Sequence, residues 1–365
     1  MSDLRILHPL DGDVLTHNDG TETTADLTIL VHGTSPACKT VTVNGIEAQV
    51  DGNEFICQVP LTAKRNKIVA QCGDCQTEIT VFWVQNSQKR YRFSVDDNIQ
   101  FLKDLGTAPD KYPSLFDHWY LKFWRQMNRE YGAKIHLNIY YQTDGFDLTQ
   151  MPDIWKDEWI ENSWWLHLSF HALQDKPDRP YRNATYSQLA HDYDLVTGHI
   201  RRFAGNEMIG TTTTVHWGEC PLEARFALRD RGMENLIGLF FRGGGDGDSS
   251  GCTTGYQLPL EVSDYIDTRD AWYEKESGMF MVTCDQVVNC WSVEEIPQLL
   301  DKQAASPHTG EMIELLIHEQ YFREDLPNYQ PTILQKVTTA LDWVTRNGYE
   351  PVFWSEGFLG GHSPL

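Results

Sequence analysis

The sequence lacks any long apolar stretch. Among its 365 residues no run approaches the ~18 consecutive apolar residues that identify a candidate transmembrane helix. Its first residues, Met1–Arg5, do not show the basic-then-apolar pattern of a secretory signal. We therefore expect no transmembrane helix and a cytoplasmic protein.

Basic residues are scarce as well. The chain has 30 lysines and arginines against 52 aspartates and glutamates, which gives a formal net charge of −22. Proteins that bind nucleic acid or anionic lipid need a basic surface. The composition therefore argues against both as partners, and it does not indicate an oligomeric state.

Cysteine is infrequent, since the chain has eight. This number is too low for a disulfide-based scaffold in a chain of this length. Cys72 and Cys75 form a C-x-x-C pattern, but the second close pair that a structural zinc site needs is missing. The intervening Gly73-Asp74 favours a hairpin turn, and we expect reduced cysteines that bind no metal.

The hydrophobic periodicity changes near residue 90. Residues 1–88 contain about seven short strands, with hairpin signals at Asn44-Gly45 and Asp51-Gly52, as in an immunoglobulin-like β-sandwich. After a polar linker at 85–90, strands alternate with helices. We predict two domains: an all-β sandwich over 1–88 and an α/β, TIM-like barrel over 89–365, with seven or eight strands.

Helix signals sharpen the second domain. Ser114 and Asp117 form a capping-box pattern, which predicts a helix that begins at Ser114 and ends at Gly132. The helical periodicity places His118 and His191 on solvent-facing sides, away from any site. The glycine-rich segment 243–248 lacks the spacing of a phosphate-binding loop and predicts a flexible loop at the rim.

The residues most suggestive of chemistry are Asp96 and Asp97. They follow the predicted strand Tyr91–Val95, and α/β folds place their active sites at the carboxyl ends of strands. Adjacent carboxylates resist joint ionisation unless a cation or a proton relieves the repulsion.

Three later strand ends carry histidine, at His171, His216 and His318. Imidazole and carboxylate together suit zinc, and also nickel, cobalt or iron. The pattern predicts a metal-assisted hydrolase. A structural alternative is that Asp96 and Asp97 cap the following helix and that His171 is a core histidine.

Two segments resemble motifs of the polysaccharide deacetylases. Phe93-Ser94-Val95-Asp96-Asp97 is similar to that family's first motif, and Leu316-Ile317-His318-Glu319 is similar to its late histidine-bearing strand. The resemblance extends over about 91–355. It implies that Asp96 is a general base, that Asp97 binds a divalent metal and that His318 is a general acid. Within 1–88, the strand-and-turn pattern resembles sandwich modules appended to carbohydrate-active enzymes.

The middle of the chain departs from the family pattern of His-x-x-x-His. His167 and His171 have that spacing, but four residues of strand span about 13 Å, too far for two ligands of one ion. If His171 is the first ligand, Asp175 occupies the second position. The family's Arg-Pro-Pro-type strand end is replaced by Val215–Gly218, so His216 could be the missing ligand or could orient the base.

The sequence therefore predicts a metal-dependent hydrolase that removes an acyl group, with N-acetyl as the leading candidate, from a carbohydrate. Asp96 would take the proton of a water and His318 would protonate the leaving group. Phe170, Trp217 and Trp354 could shape the sugar pocket, although apolar residues of strands belong to the core by default. The sugar, the acyl group and the metal are not indicated.

Two other functions stay open. The first is a barrel glycoside hydrolase that uses Asp96 or Asp97 together with Glu319, a mechanism that needs two carboxyl groups and no metal. The second is a non-catalytic protein that binds glycans.

Overall fold

The computed structural model describes residues 4–36, 40–240 and 255–356. The chain forms two compact units. The first comprises the residues up to Gln88 together with Ala271–Lys275, and the second comprises Lys89–Asp270 with Glu276–Ser355. Within the described ranges, no helix has the length and apolar character to cross a membrane.

The first unit is built from two β-sheets. One contains β1 (Arg5–His8), β3 (Gly20–Glu22), β4 (Leu27–Thr34), β7 (Gln49–Asp51) and β8 (Glu54–Leu61). The other contains β2 (Val14–Leu15), β5 (Thr42–Val43), β6 (Ile46–Glu47), β9 (Arg65–Cys72) and β10 (Cys75–Trp83). A short strand, β18 (Ala271–Glu274), belongs to the same unit.

The two sheets of the first unit share one hydrophobic core. Buried and exposed residues alternate strictly along β8, so one of its faces points into this core. At the predicted hairpin between β5 and β6, Asn44 and Gly45 have φ of 48° and 79°, which the turn requires. The all-β prediction is confirmed, and the immunoglobulin-like class stays a prediction.

The C-x-x-C pattern lies in the hairpin between β9 and β10, as the sequence predicted. Cys72 and Cys75 are opposite each other in the antiparallel ladder. Cys75 is a free thiol, whereas Cys72 is disulfide-bonded, so the prediction of reduced cysteines is wrong for Cys72.

The second unit alternates strands with helices. Its main sheet contains β11 (Arg90–Asn98), β12 (Ile135–Tyr140), β15 (Leu166–Ala172), β20 (Gln286–Val287), β21 (Met312–His318) and β22 (Glu350–Pro351). A further sheet contains β16 (Thr212–Thr213), β17 (Asn235–Gly238) and β19 (Met279–Thr283), and a hairpin contains β13 (Gln142–Thr143) and β14 (Phe146–Asp147). The helices are α1 (Gln100–Thr107), α2 (Trp119–Tyr131), α3 (Lys156–Glu161), α4 (Tyr186–Phe203), α5 (Leu222–Arg229), α6 (Leu260–Ile266), α7 (Glu295–Ala304) and α8 (Ile333–Arg346).

The pairings among the six strands of the main sheet, and those of β17 with β16 and β19, are parallel. In the main sheet the order β15-β12-β11-β21 brings the carboxyl ends of four strands to one edge. Every residue of β12 is buried, as expected of a parallel strand covered on both faces. The α/β class is thus as predicted, and closure into a complete barrel stays a prediction.

The first long helix begins later than predicted. Ser114 and Asp117 do form a capping box, but around the short 3-10 turn Leu115–Asp117, and α2 starts only at Trp119. His118 therefore caps α2 and is fully buried, with its Nε2 3.2 Å from the Asp104 carboxylate. The prediction that His118 faces solvent is wrong because the helical period does not run through this turn.

Other predictions around the helices have mixed outcomes. His191 is exposed as predicted, and Gly132 ends α2 with φ of 69°. The strand that precedes His216 is short, because β16 contains only Thr212 and Thr213. The glycine-rich segment 243–248 lies outside the described residues.

Candidate active site

Asp96 and Asp97 lie at the carboxyl end of β11, where the regular ladder is interrupted. The register with β12 shifts between Val95 and Asn98, and Asp97 adopts the left-handed region with φ of 63°. Adjacent residues of a regular strand point to opposite faces. Here both side chains line the same cavity, in line with the broken alternation.

Asp97 is brought together with His171 and His216. One ligand atom from each lies within 4.8 Å of the others. His171 Nε2 is 3.0 Å from Asp97 Oδ1, and His216 Nδ1 is 3.1 Å from His171 Nε2 and 3.4 Å from Asp97 Oδ1. One carboxylate and two imidazoles match the three protein ligands of catalytic zinc sites, so these donors fit a divalent ion.

The outward nitrogens of both histidines are held by backbone carbonyls. His171 donates through Nδ1 to the Thr214 carbonyl at 2.5 Å, and His216 lies with Nε2 3.2 Å from the Asp175 carbonyl. Such bonds orient metal-binding histidines and select the nitrogen that faces the ion. They leave His171 Nε2 and His216 Nδ1 directed at Asp97.

The two alternative ligands are not in this cluster. The Asp175 side chain is 65% exposed, and its nearest oxygen is 3.8 Å from His216 Nε2. His167 lies four residues before His171 and stacks on Phe353, with ring centroids 3.7 Å apart. The position of His167 agrees with the expected 13 Å separation along a strand.

Two further side chains hold Asp97 and were not predicted. The Tyr140 hydroxyl donates to Asp97 Oδ1 and lies 3.0 Å from His216 Nδ1. Gln320 donates from Nε2 to Asp97 Oδ2 at 2.7 Å. Tyr140 ends β12 and Gln320 follows β21 by two residues. Their positions at the ends of strands were the feature of the sequence by which they could have been predicted.

The pKa values of Asp97, His171 and His216 are shifted in different directions. Burial alone would raise the pKa of Asp97, but the hydrogen bond to His171 and the nearby His318 and His216 hold that pKa below its usual range. Burial, together with the charge of His171, lowers the pKa of His216 to about 4. Burial would lower the pKa of His171, but Asp96 and Asp97 outweigh it and raise that pKa. His216 is thus neutral near pH 7, the form of imidazole that binds a metal, whereas His171 would lose a proton to an arriving metal ion.

Asp96 and His318 face each other across neighbouring strands. They are direct partners in the parallel register of β11 and β21, and both line the cavity beside Asp97. Asp96 is 3% exposed and accepts a hydrogen bond from Asn138 at 2.6 Å, while His318 Nδ1 is 2.9 Å from Asn289 Oδ1. Burial raises the pKa of Asp96 because it disfavours the charged carboxylate. A positive charge nearby would offset this effect and favour the ionised form.

Glu319 points away from the cluster. Its two carboxylate oxygens accept hydrogen bonds from the backbone N–H groups of Ile99, Gln100 and Phe101, at 2.7–2.9 Å. Glu319 thereby satisfies the first turn of α1, whose N-cap residue has no side-chain hydrogen bond of its own. The alternative that Asp96 and Asp97 serve as the helix cap is therefore wrong.

Two cavities meet at Asp97. One, of about 470 Å³, is lined by Asp96, His171, His216 and His318, and the other, of about 600 Å³, is lined by Tyr140 and several amide side chains. Both include Asp97, Asp175, Gln320 and Asn328.

Of the three aromatics expected to shape the sugar pocket, only Trp217 lines either cavity, the smaller one. Phe170 is fully buried against Tyr181 and Tyr193, so it belongs to the core. Trp354 is buried and lines neither cavity.

No protein-family model and no curated protein matches this sequence. Among solved structures, it is similar to a peptidoglycan N-acetylglucosamine deacetylase, at 8% identity over 75% of this chain and 90% of that one, with a TM-score of 0.38. It is similar to a Streptococcus mutans CE4 esterase, at 12% identity over 73% and 86%, with a TM-score of 0.36.

A third similar structure is a Bordetella bronchiseptica protein described as a polysaccharide deacetylase involved in O-antigen biosynthesis. It matches at 9% identity over 70% of this chain and 91% of that one, with a TM-score of 0.32.

Proposed function

We propose that this protein is a metal-dependent hydrolase that removes an acyl group from a carbohydrate, with an N-acetyl group as the first substrate to test. One observation carries the proposal. Asp97, His171 and His216 meet within 4.8 Å in the same cavity that Asp96 and His318 line. A metal-ligand set beside a carboxylate and an imidazole is the combination that metal-assisted hydrolysis needs.

Asp97, His171 and His216 would hold the divalent ion. Such an ion lowers the pKa of a water and polarises the acyl oxygen. Zinc is our first choice, and the same donors also suit nickel, cobalt or iron. Tyr140 and Gln320 keep the Asp97 carboxylate in place, so the ligand geometry is organised before any ion binds.

Asp96 and His318 would move the protons. Asp96 is the base that takes a proton from the attacking water, with its Oδ1 fixed by Asn138. His318 is bonded to Asn289 through Nδ1, which leaves Nε2 to deliver a proton to the departing amine or alcohol. Their paired positions on β11 and β21 support this assignment, because the two groups would then act on either side of one bond.

The larger cavity supports a carbohydrate substrate. Its wall carries the amide side chains of Gln100, Gln142 and Gln174, and the carboxylates of Asp144 and Asp175. These groups donate to and accept from hydroxyl groups, and a cavity of about 600 Å³ lies within the usual range for a bound small molecule.

The glycoside hydrolase alternative is weaker in this geometry. It requires Glu319 as the second carboxyl group, and all three hydrogen bonds that we find for Glu319 go to the start of α1. A protein that only binds glycans would use the same polar cavity, so that alternative is decided by measurement.

The test combines elemental analysis of the purified full chain, before and after chelation, with an assay for acetate released from acetylated amino sugars. We expect one divalent ion per chain, activity that chelation removes, and activity that added metal restores. Asp96→Asn should abolish turnover and retain the metal, whereas Asp97→Asn should lose both.

Two outcomes would contradict these roles. If Asp96→Asn strips the metal and Asp97→Asn does not, the roles of the two aspartates are reversed. If the chain releases no acyl group from any acylated sugar and still binds sugars, it is a glycan-binding protein.

A further inference from the structure

The two cavities that meet at Asp97 differ in chemical character. The larger one is walled mainly by amide, carboxylate and hydroxyl groups, among them Gln100, Gln142 and Asp144. The smaller one is lined by the site residues and, over the rest of its interior, mainly by apolar side chains. This interior has no part in the proton transfers or the metal ligation proposed above.

The apolar interior is built by several strands. Leu316 lies two residues before His318 on β21, and Ile237 lies on β17. Val287 comes from β20, and Leu239 follows β17. We call Ile237, Leu239, Val287 and Leu316 the aliphatic wall.

The size of this cavity bears on what it holds. At about 470 Å³ it is within the 300–1,000 Å³ range of complete ligand pockets. An acetyl group would place a single methyl group there, and the half-buried Leu239 and Val287 would stay in contact with water. Hydrophobic surface of this kind is stabilised when an apolar group replaces that water.

The positions of the base, Asp96, and the acid, His318, indicate which part of a substrate enters the smaller cavity. Asp96 and His318 line the smaller cavity and not the larger one, whereas Asp97 lines both. In the proposed mechanism the scissile bond would lie near Asp97, where the two cavities meet, with one side of the substrate in each cavity. A hydroxyl-rich sugar matches the polar side, which leaves the acyl chain for the aliphatic wall.

We infer that the acyl group removed by this protein is an aliphatic chain longer than acetyl, seated against the aliphatic wall. This inference rests on the proposed function. In the reaction a water oxygen bonds to the acyl carbon and the carbon–nitrogen bond breaks. Both protons of the water pass to the nitrogen, so the sugar leaves as an ammonium group and the chain leaves as a carboxylate.

The test uses the metal-loaded full chain and a series of N-acyl amino sugars with two, four, six and eight acyl carbons. The freed amine is measured, so that every substrate has the same readout. We expect kcat/KM to rise from the two-carbon to the six-carbon substrate, by about two- to fourfold for each methylene that becomes buried. A highest kcat/KM for acetyl, with a decline for longer chains, would overturn the inference.

Substitutions separate the aliphatic wall from the sugar side. Val287→Phe narrows the apolar cavity at a half-buried strand position, and Leu239→Phe does so at a second place if the first variant fails to fold. Each should lower the ratio of six-carbon to two-carbon kcat/KM by about tenfold or more, since several methylenes lose their contacts. The matched control, Gln142→Ala in the polar cavity, should change all substrates by one common factor. An unchanged ratio in both phenylalanine variants would overturn the inference.

A binding measurement keeps the inference distinguishable from the proposed function. With Asp96→Asn, which blocks turnover, calorimetry compares the affinity of the six-carbon and two-carbon substrates. Tighter binding of the six-carbon substrate supports the aliphatic wall even if the wild-type chain releases no amine, a result that would refute the proposed function alone. Equal affinity for both substrates overturns the inference.

Discussion

The two ends of β15 carry the same side chain in different surroundings. At the carboxyl end, His171 lies 3.0 Å from Asp97 and 3.1 Å from His216. At the amino end, His167 stacks on Phe353, away from the cluster. The two histidines are four positions apart along the chain. The position of a residue relative to the carboxyl edge of a parallel sheet therefore decides its access to the site, whatever motif spacing it satisfies.

Neighbouring residues at the end of β21 show the same contrast over one position. His318 lines the cavity with Asp96, whereas Glu319 binds three backbone N–H groups at the start of α1. Both side chains are ionisable, and the sequence made both of them candidate catalytic residues. Their different partners make them a matched pair for testing which carboxyl-edge residues do chemistry.

The largest expected effect comes from substituting His171 on β15, and His167 on the same strand provides the matched control. His171→Ala should lose the bound metal and reduce acyl release to background, because it removes one of three protein ligands. His167→Ala should keep one metal per chain and a kcat close to that of the wild-type protein. Elemental analysis and the amine-release assay measure both. Loss of metal from His167→Ala would remove the contrast between the two ends of β15.

The sequence predicted part of this site because strand ends are readable from hydrophobic runs followed by polar residues. Asp96, His171 and His318 were found in this way, and each lies at the carboxyl end of a buried strand. His216 was harder, since β16 has only two residues and His216 sits in the turn after it.

Other features depend on contacts between distant parts of the chain. Tyr140 lies 43 residues from Asp97 and 76 residues from His216, and no local pattern indicates that their side chains meet. Glu319 caps a helix that begins 219 residues earlier, at Gln100. The sequence also could not show that Cys72 forms a disulfide, because disulfide pairing is set by the fold and not by spacing.

A smaller effect is expected from the acid on β21. His318→Ala should lower kcat by about 10²–10⁴, the usual range for loss of a general acid or base, with metal content and substrate binding kept. Steady-state kinetics with elemental analysis would measure this. A variant that lost its metal would instead place His318 among the ligands, and the site would then extend across β11 and β21.

Removing the Tyr140 hydroxyl should weaken the metal site without dismantling it. Tyr140→Phe deletes the hydrogen bond to Asp97 Oδ1, and loss of such an outer partner typically lowers metal affinity 10–100-fold. Tyr141→Phe is the matched control, one residue further along the chain. Titration with a competing chelator compares the two variants. Equal affinities would show that Tyr140 does not organise Asp97.

The smallest effect on activity is expected at Glu319. Glu319→Ala leaves buried backbone N–H groups of α1 unsatisfied, which should reduce the free energy of unfolding by about 1–3 kcal/mol. Glu319→Gln, which keeps an acceptor oxygen, should cost less. Both variants should retain the metal and, once corrected for the folded fraction, a kcat near that of the wild-type protein. Chemical denaturation measures the first effect, and elemental analysis with the amine-release assay measures the second.

A glycoside hydrolase that used Glu319 as its second carboxyl group would behave in the opposite way. It would cleave glycans without metal, and both substitutions would abolish that cleavage in a folded protein. That result would show that Glu319 is a catalytic residue, and Glu319 and His318 would then no longer differ in function.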